Sequence, residues 1–521
     1  MLTVRKLRAT LDTTHVSYIF KGLLVGLIAG LGVSLFRLLI EESLRGWRFL
    51  YGRAHGNGWW LVLIVALLVL IGVINVVLIK QQPHIMGSGI PEVEAQLEGS
   101  LQLHWWSILW RKFVGGVLAI GAGLFLGREG PSIQLGSSIG EGFATLTKEK
   151  GTDARVLIAA GAASGLSAAF NAPMAGTMFV LEEVYHNFSP LVWMTALSGA
   201  VGANFVSSNF FGLTPVLHLE YADNFPLALY WHLILLGIFL GVMGIVYQRI
   251  LLYMPKLYEK IGKLPRYADG IVPLLLVTIV GYYWPQTLGG GNGLILSLAQ
   301  QQPAALVVFG LFSLRFIFSM ISYGSGLPGG IFLPILTLGA LLGDFYAVIM
   351  VNLHLLPKEL ILNLVIVAMA GYFAGIGKAP FTAILLITEM VGNLSHLMPL
   401  AVVSLTAYLV VDLLGGAPIY ESLAAKMTLD QKLAKLTGRN DRIEIPVFEG
   451  TRFVGLQVRD VEWPTNTLLM SIHRGSREVI PKGDTEILAG DTLVILTDHN
   501  QRAQVKKEII ALSQQPDRVR I

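Results

Sequence analysis

The chain has 521 residues, of which 54% are hydrophobic and 14% charged, and its mean hydropathy is +0.63. This composition excludes an ordinary water-soluble enzyme and is typical of a polytopic membrane protein. The formal net charge of +4 gives no sign of a nucleic-acid partner, and the absence of cysteine excludes disulfide and thiol chemistry.

The chain begins with a basic segment and then alternates between apolar spans and short breaks. Arg5, Lys6 and Arg8 precede the first span, which predicts a cytoplasmic N-terminus by the positive-inside rule. That span is rich in glycine, which predicts close packing against other helices. Apolar spans are predicted at residues 16–40, 59–79, 104–126, 159–184, 191–205, 229–252, 271–284, 304–322, 335–353, 360–373, 381–390 and 400–414. Several are too short to cross a bilayer alone, which predicts broken helices.

The break at residues 127–132, which reads G-R-E-G-P-S, places a carboxylate deep in the apolar sequence. If it faced lipid, this carboxylate would cost about 2.5–3.5 kcal/mol, so Glu129 is predicted to line a pathway. Gly127 and Gly130 allow a sharp backbone turn, and Pro131 has the fixed φ of a first helical residue. The segment therefore predicts a helix N-terminus that holds one glutamate inside the membrane.

Two further breaks have the same character. Residues 87–94, G-S-G-I-P-E-V-E, predict a helix start with an acidic first turn, and residues 323–334 form another Gly/Pro break. From the local pattern alone, Ser88 either caps its helix or faces a ligand, and capping is the simpler interpretation. Helix N-termini carry unpaired N–H groups and a partial positive charge. Three of them aimed at one point would bind an anion loosely enough to release it.

An internal repeat relates the two halves of the chain. Residues 127–141 align with residues 330–344, and at nearly the same offset Glu182 matches Glu389. Matched short helices with Gly/Pro breaks in two halves indicate the binding site of a transporter. We therefore predict a membrane domain at residues 1–427, with repeat halves at about 16–210 and 228–427, a linker at 428–441 and a soluble domain at 442–521.

The soluble domain is predicted to be a small α+β unit, so that the fold class is an all-α polytopic membrane protein with an α+β C-terminal domain. Strands are predicted at residues 443–447, 468–472 and 491–496, a turn at 474–476 and a terminal helix at 500–513. No histidine or carboxylate cluster in the sequence has metal-ligand spacing, and no nucleotide-binding loop occurs. We therefore expect no metal, no cofactor, no enzyme activity and no ATP-driven pumping.

Three motifs in this order resemble the signature of the CLC family of chloride channels and transporters: G-S-G-I-P, G-R-E-G-P and G-I-F-L-P. The resemblance covers about residues 16–426 and implies a homodimer with one pore per subunit, built as an inverted repeat of broken half-helices. The anion-binding residues that it implies are the Ser88 hydroxyl, the loop residues Gly127, Arg128 and Gly130, the backbone N–H groups of Ile331 and Phe332, and the phenolic hydroxyl of Tyr420. Within the loop, we interpret Arg128 as a scaffold residue rather than as a direct ligand.

The resemblance also gives roles to two glutamates. Glu129 would be a gating glutamate whose ionised carboxylate occupies the outer anion site, and which swings away when protonated. Glu183, the second acidic residue after F-N-A-P-M-A-G, resembles the glutamate that passes protons in proton-coupled members. The resemblance therefore implies chloride/proton antiport, and a passive, ligand-gated chloride channel of the same fold is the alternative. Fluoride exporters depart from the first two motifs, so fluoride is disfavoured.

Other interpretations of these residues remain open. The pair Glu182 and Glu183 is also compatible with two solvated carboxylates at a helix end, and Glu129 with an ion pair to Arg128. Tyr420 also fits an interfacial belt tyrosine. A membrane receptor that transports nothing and uses its tail as a sensor is a rival from another class. The intact G-R-E-G-P motif and the tyrosine argue against it.

The tail resembles the C-terminal subdomain of RCK regulators of potassium transport. The matching segments are F-V-G-L-Q-V-R-D-V, R-G-S-R-E-V-I-P-K-G-D-T and L-A-G-D-T-L-V-I-L. The resemblance implies a cytoplasmic domain in a bacterial cell membrane protein, paired two-fold, with a small ligand in the cleft. In Gram-positive relatives this ligand is often cyclic di-AMP. Candidate ligand residues are His473, Arg474, Ile480 and Pro481, and the alternative is a dimerisation tail without a ligand.

Overall fold

The computed structural model describes residues 14–217, 225–261, 265–301, 303–430, 440–465, 467–474, 477–498 and 501–514. The basic residues of the N-terminus, most of the predicted linker and two residues of the predicted turn lie outside the described residues. Within the described part of the chain, seven helices are long and apolar enough to cross a membrane. The protein is therefore a multi-pass membrane protein, as its composition predicts.

The described part of the membrane domain is helical throughout. The helices of the first half are α1 (Thr14–Ala54), α2 (Trp59–Gln81), α3 (Ile90–Glu98), α4 (Trp105–Gly121), α5 (Glu129–Leu146), α6 (Thr152–Phe170), α7 (Pro173–Phe179), which continues as a π-helical turn (Val180–Val184), and α8 (Pro190–Phe211). Those of the second half are α9 (Tyr230–Ile261), α10 (Ile271–Tyr283), α11 (Asn292–Gln301), α12 (Ala305–Gly324), α13 (Phe332–Asn352), α14 (Ile361–Gly377), α15 (Pro380–Val391), α16 (Leu397–Leu413) and α17 (Ile419–Asp430). Short 3₁₀ turns of the membrane domain lie at Pro83–Ile85, Leu227–Leu229, Arg266–Ala268, Pro285–Thr287 and Lys358–Leu360, and the C-terminal domain has another at Val458–Asp460.

The first helix is longer than the apolar span that predicts it, because it continues to Ala54. Its second half carries charged residues, and one of these, Arg45, lies 2.7 Å from Glu42 one turn earlier. Pairs at this spacing stabilise a helix beyond its apolar segment. The predicted close packing of this helix is confirmed, because a Cβ on Gly26 would overlap the carbonyl group of Gly199 in α8.

The two halves meet at residues that the repeat alignment matches. The Gly127 N–H donates to the Gly330 carbonyl at 2.7 Å, and the Gly330 N–H donates to the Gly127 carbonyl at 2.6 Å. A local two-fold axis between two repeats produces reciprocal bonds of this kind. Because α5 and α13 start directly after these glycines, both helices begin close to that axis.

Two shorter helices are joined in the same reciprocal way. The carboxylate of Glu182, in the π-helical turn after α7, accepts hydrogen bonds from the N–H groups of Phe381 and Thr382 in the first turn of α15. The carboxylate of Glu389, near the end of α15, accepts bonds from two N–H groups in the first turn of α7. Each carboxylate thus satisfies the helix N-terminus of the other half.

The C-terminal domain is a four-stranded antiparallel sheet covered by one helix. Its elements are β1 (Asn440–Pro446), β2 (Leu468–Arg474), β3 (Arg477–Val479), β4 (Asp491–Asp498) and α18 (Arg502–Gln514), with the strands in the order β1-β4-β2-β3. The predicted fold class is confirmed, and the three predicted strands are present: two have wider bounds, and β1 begins three residues earlier and ends one residue earlier than predicted. The prediction that Arg474 lies in a turn is wrong, because Arg474 is the last residue of β2 and pairs directly with Asp491 in β4. The strand β3 was not predicted, because three residues are too few to show the alternation of apolar and polar side chains that marks a strand.

Hydrogen bonds join the C-terminal domain to the membrane domain. The Thr152 hydroxyl donates to the Arg442 carbonyl at 3.2 Å, and the Arg502 guanidinium donates to the Leu97 carbonyl near the end of α3. The start of α1 lies on the same side, because Lys21 pairs at 2.5 Å with a glutamate three residues before Thr152. The end of α1 therefore lies on the opposite side of the molecule.

Candidate functional site

Three helix starts lie together where the two halves meet. α5 and α13 begin after the paired glycines, and the loop before α3 is bonded to the loop before α13. The Gly87 N–H donates to the Gly326 carbonyl at 3.2 Å, and the Gly329 N–H donates to the Gly87 carbonyl at 2.9 Å. The three breaks in the sequence therefore form one buried centre, at which helix N-termini present N–H groups and partial positive charge.

Ser88 lies in this centre against the start of α5, since a Cβ on Gly130 would overlap it. Its side chain is buried, and its oxygen accepts a hydrogen bond from the Ile90 N–H at 3.3 Å. Capping of α3 and anion binding are compatible, because a hydroxyl that accepts one bond still has its own proton to donate. Sequence reasoning missed Tyr323, whose hydroxyl interacts with Ser88. Its position just before a Gly/Pro break was the available signal.

A buried lysine holds the loop before α3 in place. The Lys112 ammonium group is fully buried and donates to the carbonyls of Ile85 and Gly87 at 2.9 and 2.8 Å. The buried carboxylate of Glu92 attracts it electrostatically. The sequence signal was the Arg111-Lys112 pair inside a mostly apolar span, where a charged side chain marks a structural or functional role.

Glu129 is fully buried at the first position of α5. Neither of its carboxylate oxygens has a hydrogen-bond partner of ordinary geometry among the described residues. The Leu333 N–H and the Arg128 guanidinium interact with it favourably, and one of its oxygens lies over Gly127. A buried carboxylate that the protein does not satisfy is held by helix N-termini, which is an arrangement that also suits a bound anion.

Arg128 faces away from the buried centre. Its guanidinium donates to Glu41 at 2.6 Å, whereas its Nε lies 3.9 Å from Glu129. Arg37 also donates to Glu41, at 3.1 Å. These side chains line a cavity of about 360 Å³ that also reaches Leu333. The stronger ion pair of Arg128 is thus with Glu41, which agrees with a scaffold role and leaves the Glu129 carboxylate weakly paired.

Tyr420 closes the other side of the centre. It is fully buried, and its hydroxyl has no hydrogen-bond partner among the described residues. Its ring contacts Phe179 edge-on at 5.9 Å, and Phe179 in turn contacts Phe332 at 5.5 Å. Ile331 is also buried, at the N-cap of α13. Complete burial within the chain argues against the alternative of an interfacial belt tyrosine, and the unpaired hydroxyl is directed into protein rather than water.

Glu183 is almost fully buried, with 2% of its surface exposed. One of its carboxylate oxygens has no hydrogen-bond partner among the described residues. It lies in the π-helical turn, a feature that is frequent at functional sites. The alternative of two solvated carboxylates is wrong, since Glu183 is buried and Glu182 is bound to α15. Tyr420 interacts electrostatically with both Glu183 and Glu129, so all three side chains belong to the same buried region.

The candidate ligand residues of the C-terminal domain lie along β2 and past the end of β3. The Arg474 guanidinium donates twice to Asp491 at 2.8 Å, which occupies the fork that would bind a phosphate. His473 lies 3.6 Å from Glu478, Ile480 is 80% exposed, and Pro481 follows it. Burial would raise the pKa of Asp491, but the bonds from Arg474 hold it below its ordinary value. A ligand site at these residues remains a prediction.

The expectation that no metal-ligand cluster exists was drawn from sequence spacing. The fold brings Glu94, His186 and Glu421 together from distant parts of the chain, the one such group among the described residues. Sequence spacing could not reveal this group, because its members lie on three separate segments.

Two interlocked halves whose broken helices begin around a buried glutamate define a membrane protein of the inverted-repeat transporter class. The model of the voltage gated chloride channel family matches residues 71–412, and that of the TrkA-C domain matches residues 442–510. The protein therefore belongs to the voltage-gated chloride channel (CLC) family and carries a TrkA-C domain, as the sequence motifs indicated.

Relatives and solved structures agree with this membership. The chain is 36% identical over 445 residues to an H(+)/Cl(-) exchange transporter ClcA of Vibrio cholerae, a match that covers 81% of this chain and 92% of that protein. It is 32% identical to a ClcA of Salmonella schwarzengrund, covering 82% and 92%. The crystal structure of a slow cyanobacterial Cl-/H+ antiporter matches with a TM-score of 0.75 at 31% identity, covering 80% of this chain and 98% of that one. A eukaryotic CLC transporter shares the fold, with a TM-score of 0.65 at 22% identity.

Proposed function

We propose that this protein exchanges chloride for protons across a bacterial cell membrane. The observation that carries the proposal is the buried group of Glu129, Tyr420 and Glu183, in which both oxygens of Glu129, one oxygen of Glu183 and the Tyr420 hydroxyl have no hydrogen-bond partner among the described residues. The relatives of Vibrio and Salmonella are named H(+)/Cl(-) exchange transporters, and a passive channel of the same fold would have no need of Glu183. Exchange is therefore favoured over the channel alternative.

Chloride is proposed to bind at the centre where the half-helices begin. The Ser88 and Tyr420 hydroxyls would donate to it, with the N–H groups of Ile331 and Phe332. Donors of this kind, with helix dipoles, neutralise an anion without a lysine or arginine at the site, so release stays fast. Arg128 is held by Glu41 and would act outside this site by drawing anions into the cavity.

Glu129 is proposed to alternate between chloride and a proton. Ionised, its carboxylate occupies the dipole-rich position at the start of α5, which excludes chloride from that position. Protonated, it no longer gains from the dipoles and leaves the position to an anion. One group that takes either a proton or the place of chloride couples their opposed movements. Glu183 would deliver the proton from the side of the C-terminal domain, which we assign to the cytoplasm.

The test is proton-coupled flux in liposomes with Glu129→Gln. The amide has the shape of the protonated acid and cannot ionise, so chloride flux should persist while chloride-driven proton movement disappears. Glu141→Gln is the matched control, because it changes another glutamate of the same helix and should leave both fluxes intact. Proton movement that survives Glu129→Gln would remove this residue from the coupling mechanism.

The resemblance to the CLC family also supports a homodimer, with a complete pore in each subunit. Cross-linking of the protein in liposomes, followed by mass measurement, tests this part of the proposal. A purely monomeric protein in the membrane would contradict it, and would leave the transport mechanism intact because every transport residue lies in one chain.

We further propose that the C-terminal domain regulates transport by binding a small ligand, with cyclic di-AMP as the hypothesis. The TrkA-C match supports a regulatory domain. The contact of Arg502 with the Leu97 carbonyl offers a route, since Leu97 is near the end of the half-helix that starts beside Ser88. Calorimetry of the full-length protein with cyclic di-AMP, and with cyclic AMP as control, tests this. No heat at high cyclic di-AMP concentration would reduce the domain to a dimerisation tail.

A further inference from the structure

Three ligating side chains meet on the side of the membrane domain that contacts the C-terminal domain. They are Glu94 in α3, His186 just after the π-helical turn and Glu421 in the first turn of α17. One ligand atom of each lies within 4.8 Å of the other two, and His186 Nε2 lies 3.5 Å from a carboxylate oxygen of Glu421. A tetrahedral ion with bonds of about 2.0–2.1 Å needs donors about 3.4 Å apart, so small side-chain rotations complete the site.

Glu94 supplies the independent observation that points to a ligand. Its side chain is 4% exposed, and its Oε2 atom has no hydrogen-bond partner among the described residues. Burial of a carboxylate oxygen is costly unless the oxygen accepts a hydrogen bond or binds a cation. His186 and Glu421 are exposed, so an ion can reach the buried oxygen from solvent.

We propose that Glu94, His186 and Glu421 form a binding site for a divalent transition-metal ion of the zinc type. One imidazole and two carboxylates suit zinc better than the harder magnesium and calcium ions, which prefer sites made of oxygen alone. Three protein ligands leave a fourth position for water. The site is distinct from the proposed chloride centre, and its existence does not depend on what the protein transports.

The three ligands lie on segments that carry the proposed transport residues. α3 starts beside Ser88, His186 follows Glu183 by three residues, and Glu421 directly follows Tyr420. A bound ion would therefore cross-link these three segments and should slow any transport cycle in which they move relative to one another. This consequence rests on the proposed function, whereas metal binding does not.

Two lysines of the C-terminal domain oppose binding of the ion by charge repulsion. Lys506, on α18, interacts electrostatically with both Glu94 and His186, and Lys507 interacts with Glu94. These ammonium groups repel a cation at the site, while Glu98 adds negative charge near Lys506. A neutral side chain in place of Lys506 should therefore tighten metal binding, which is the opposite of the effect expected from loss of a ligand.

The test is titration of the purified, tag-free, full-length protein with zinc against a chromophoric chelator. Wild type should bind one ion per subunit, His186→Asn should bind at least about tenfold more weakly, and Lys506→Gln should bind more tightly. His186 has a φ of 50°, a left-handed value that asparagine tolerates, so the variant removes the imidazole without adding backbone strain. The matched control is His104→Asn, the same change at an exposed histidine where asparagine can still cap α4.

Equal zinc binding by wild type and His186→Asn, or no saturable binding by wild type, would overturn the site. Absorption of bound cobalt gives a second readout, because a nitrogen ligand shifts its d–d bands and His186→Asn should lose that shift. Zinc added on the side of the C-terminal domain should slow chloride flux of wild type and not of His186→Asn. Stoichiometric zinc binding with unchanged flux would keep the site and overturn the cross-linking consequence.

Discussion

Removal of the two carboxylates that join α7 and α15 should destabilise the membrane domain to different extents. Glu389 accepts two hydrogen bonds: an exposed one from the Met174 N–H at 3.0 Å and a partly buried one from the Ala175 N–H at 2.8 Å. Glu182 accepts three bonds, because the Thr382 hydroxyl also donates to it at 2.8 Å. A hydrogen bond to a charged group contributes about 1.5–3 kcal/mol when shielded and less when solvated. We therefore expect losses of about 2 kcal/mol for Glu389→Ala and about 3 kcal/mol for Glu182→Ala.

The assay is equilibrium unfolding in detergent micelles by a denaturant titration, followed by tryptophan fluorescence. Glu359→Ala is the control, because this exposed glutamate lies in the 3₁₀ turn before α14, where a favourable interaction with the helix dipole is worth less than about 1 kcal/mol. The expected order of destabilisation is Glu182→Ala, then Glu389→Ala, then Glu359→Ala. A Glu182→Ala variant as stable as the control would refute the argument that reciprocal caps hold the halves together.

Three further outcomes are expected. Lys112→Met should weaken chloride binding in calorimetry at least about tenfold, because the carbonyls of Ile85 and Gly87 lose their donor at about 1–3 kcal/mol each and the loop that carries Ser88 is no longer held in place, while the exposed Lys80→Met should bind as wild type. Gly161→Ala should abolish monodisperse protein in size-exclusion chromatography, because its Cβ would overlap the backbone of α5. Asp491→Asn should destabilise the C-terminal domain at neutral pH. Burial raises the pKa of Asp491, but the bonds from Arg474 bring it below its ordinary value in the folded protein. The variant should therefore differ most from wild type in unfolding free energy above about pH 4, where Asp491 is ionised in both the folded and the unfolded state. The difference should disappear as the pH falls through the pKa of Asp491 in the folded protein.

The sequence predicted the centre of the molecule better than its periphery. The breaks at Gly127 and Gly330 are local patterns of Gly and Pro, and a repeat alignment can match them without any knowledge of contacts. What the alignment could not show is that the matched residues bond to each other, since a repeat has no defined axis until it folds. In the same way, Glu182 and Glu389 aligned as equivalents, while their exchange of helix caps depends on how the halves interlock.

Residues outside the motifs were harder to interpret because their roles depend on register and on distant partners. Arg474 suited a phosphate in the sequence, yet the pairing of β2 with β4 places Asp491 opposite it and occupies its guanidinium. Tyr323 and Lys112 contact the loop around Ser88 from other helices, and neither belongs to a motif. A charged side chain in an apolar span indicates that it has a partner, but only the fold shows which one.

The most direct test of the account is chloride-driven proton movement in liposomes by wild type and Glu183→Gln. The account predicts that an imposed chloride gradient moves protons uphill through the wild type. In Glu183→Gln chloride should still pass while proton movement stops, because an amide at this buried position cannot carry the proton. Chloride flux without proton movement in the wild type would contradict the account and make the protein a passive channel in which Glu183 is a structural acid.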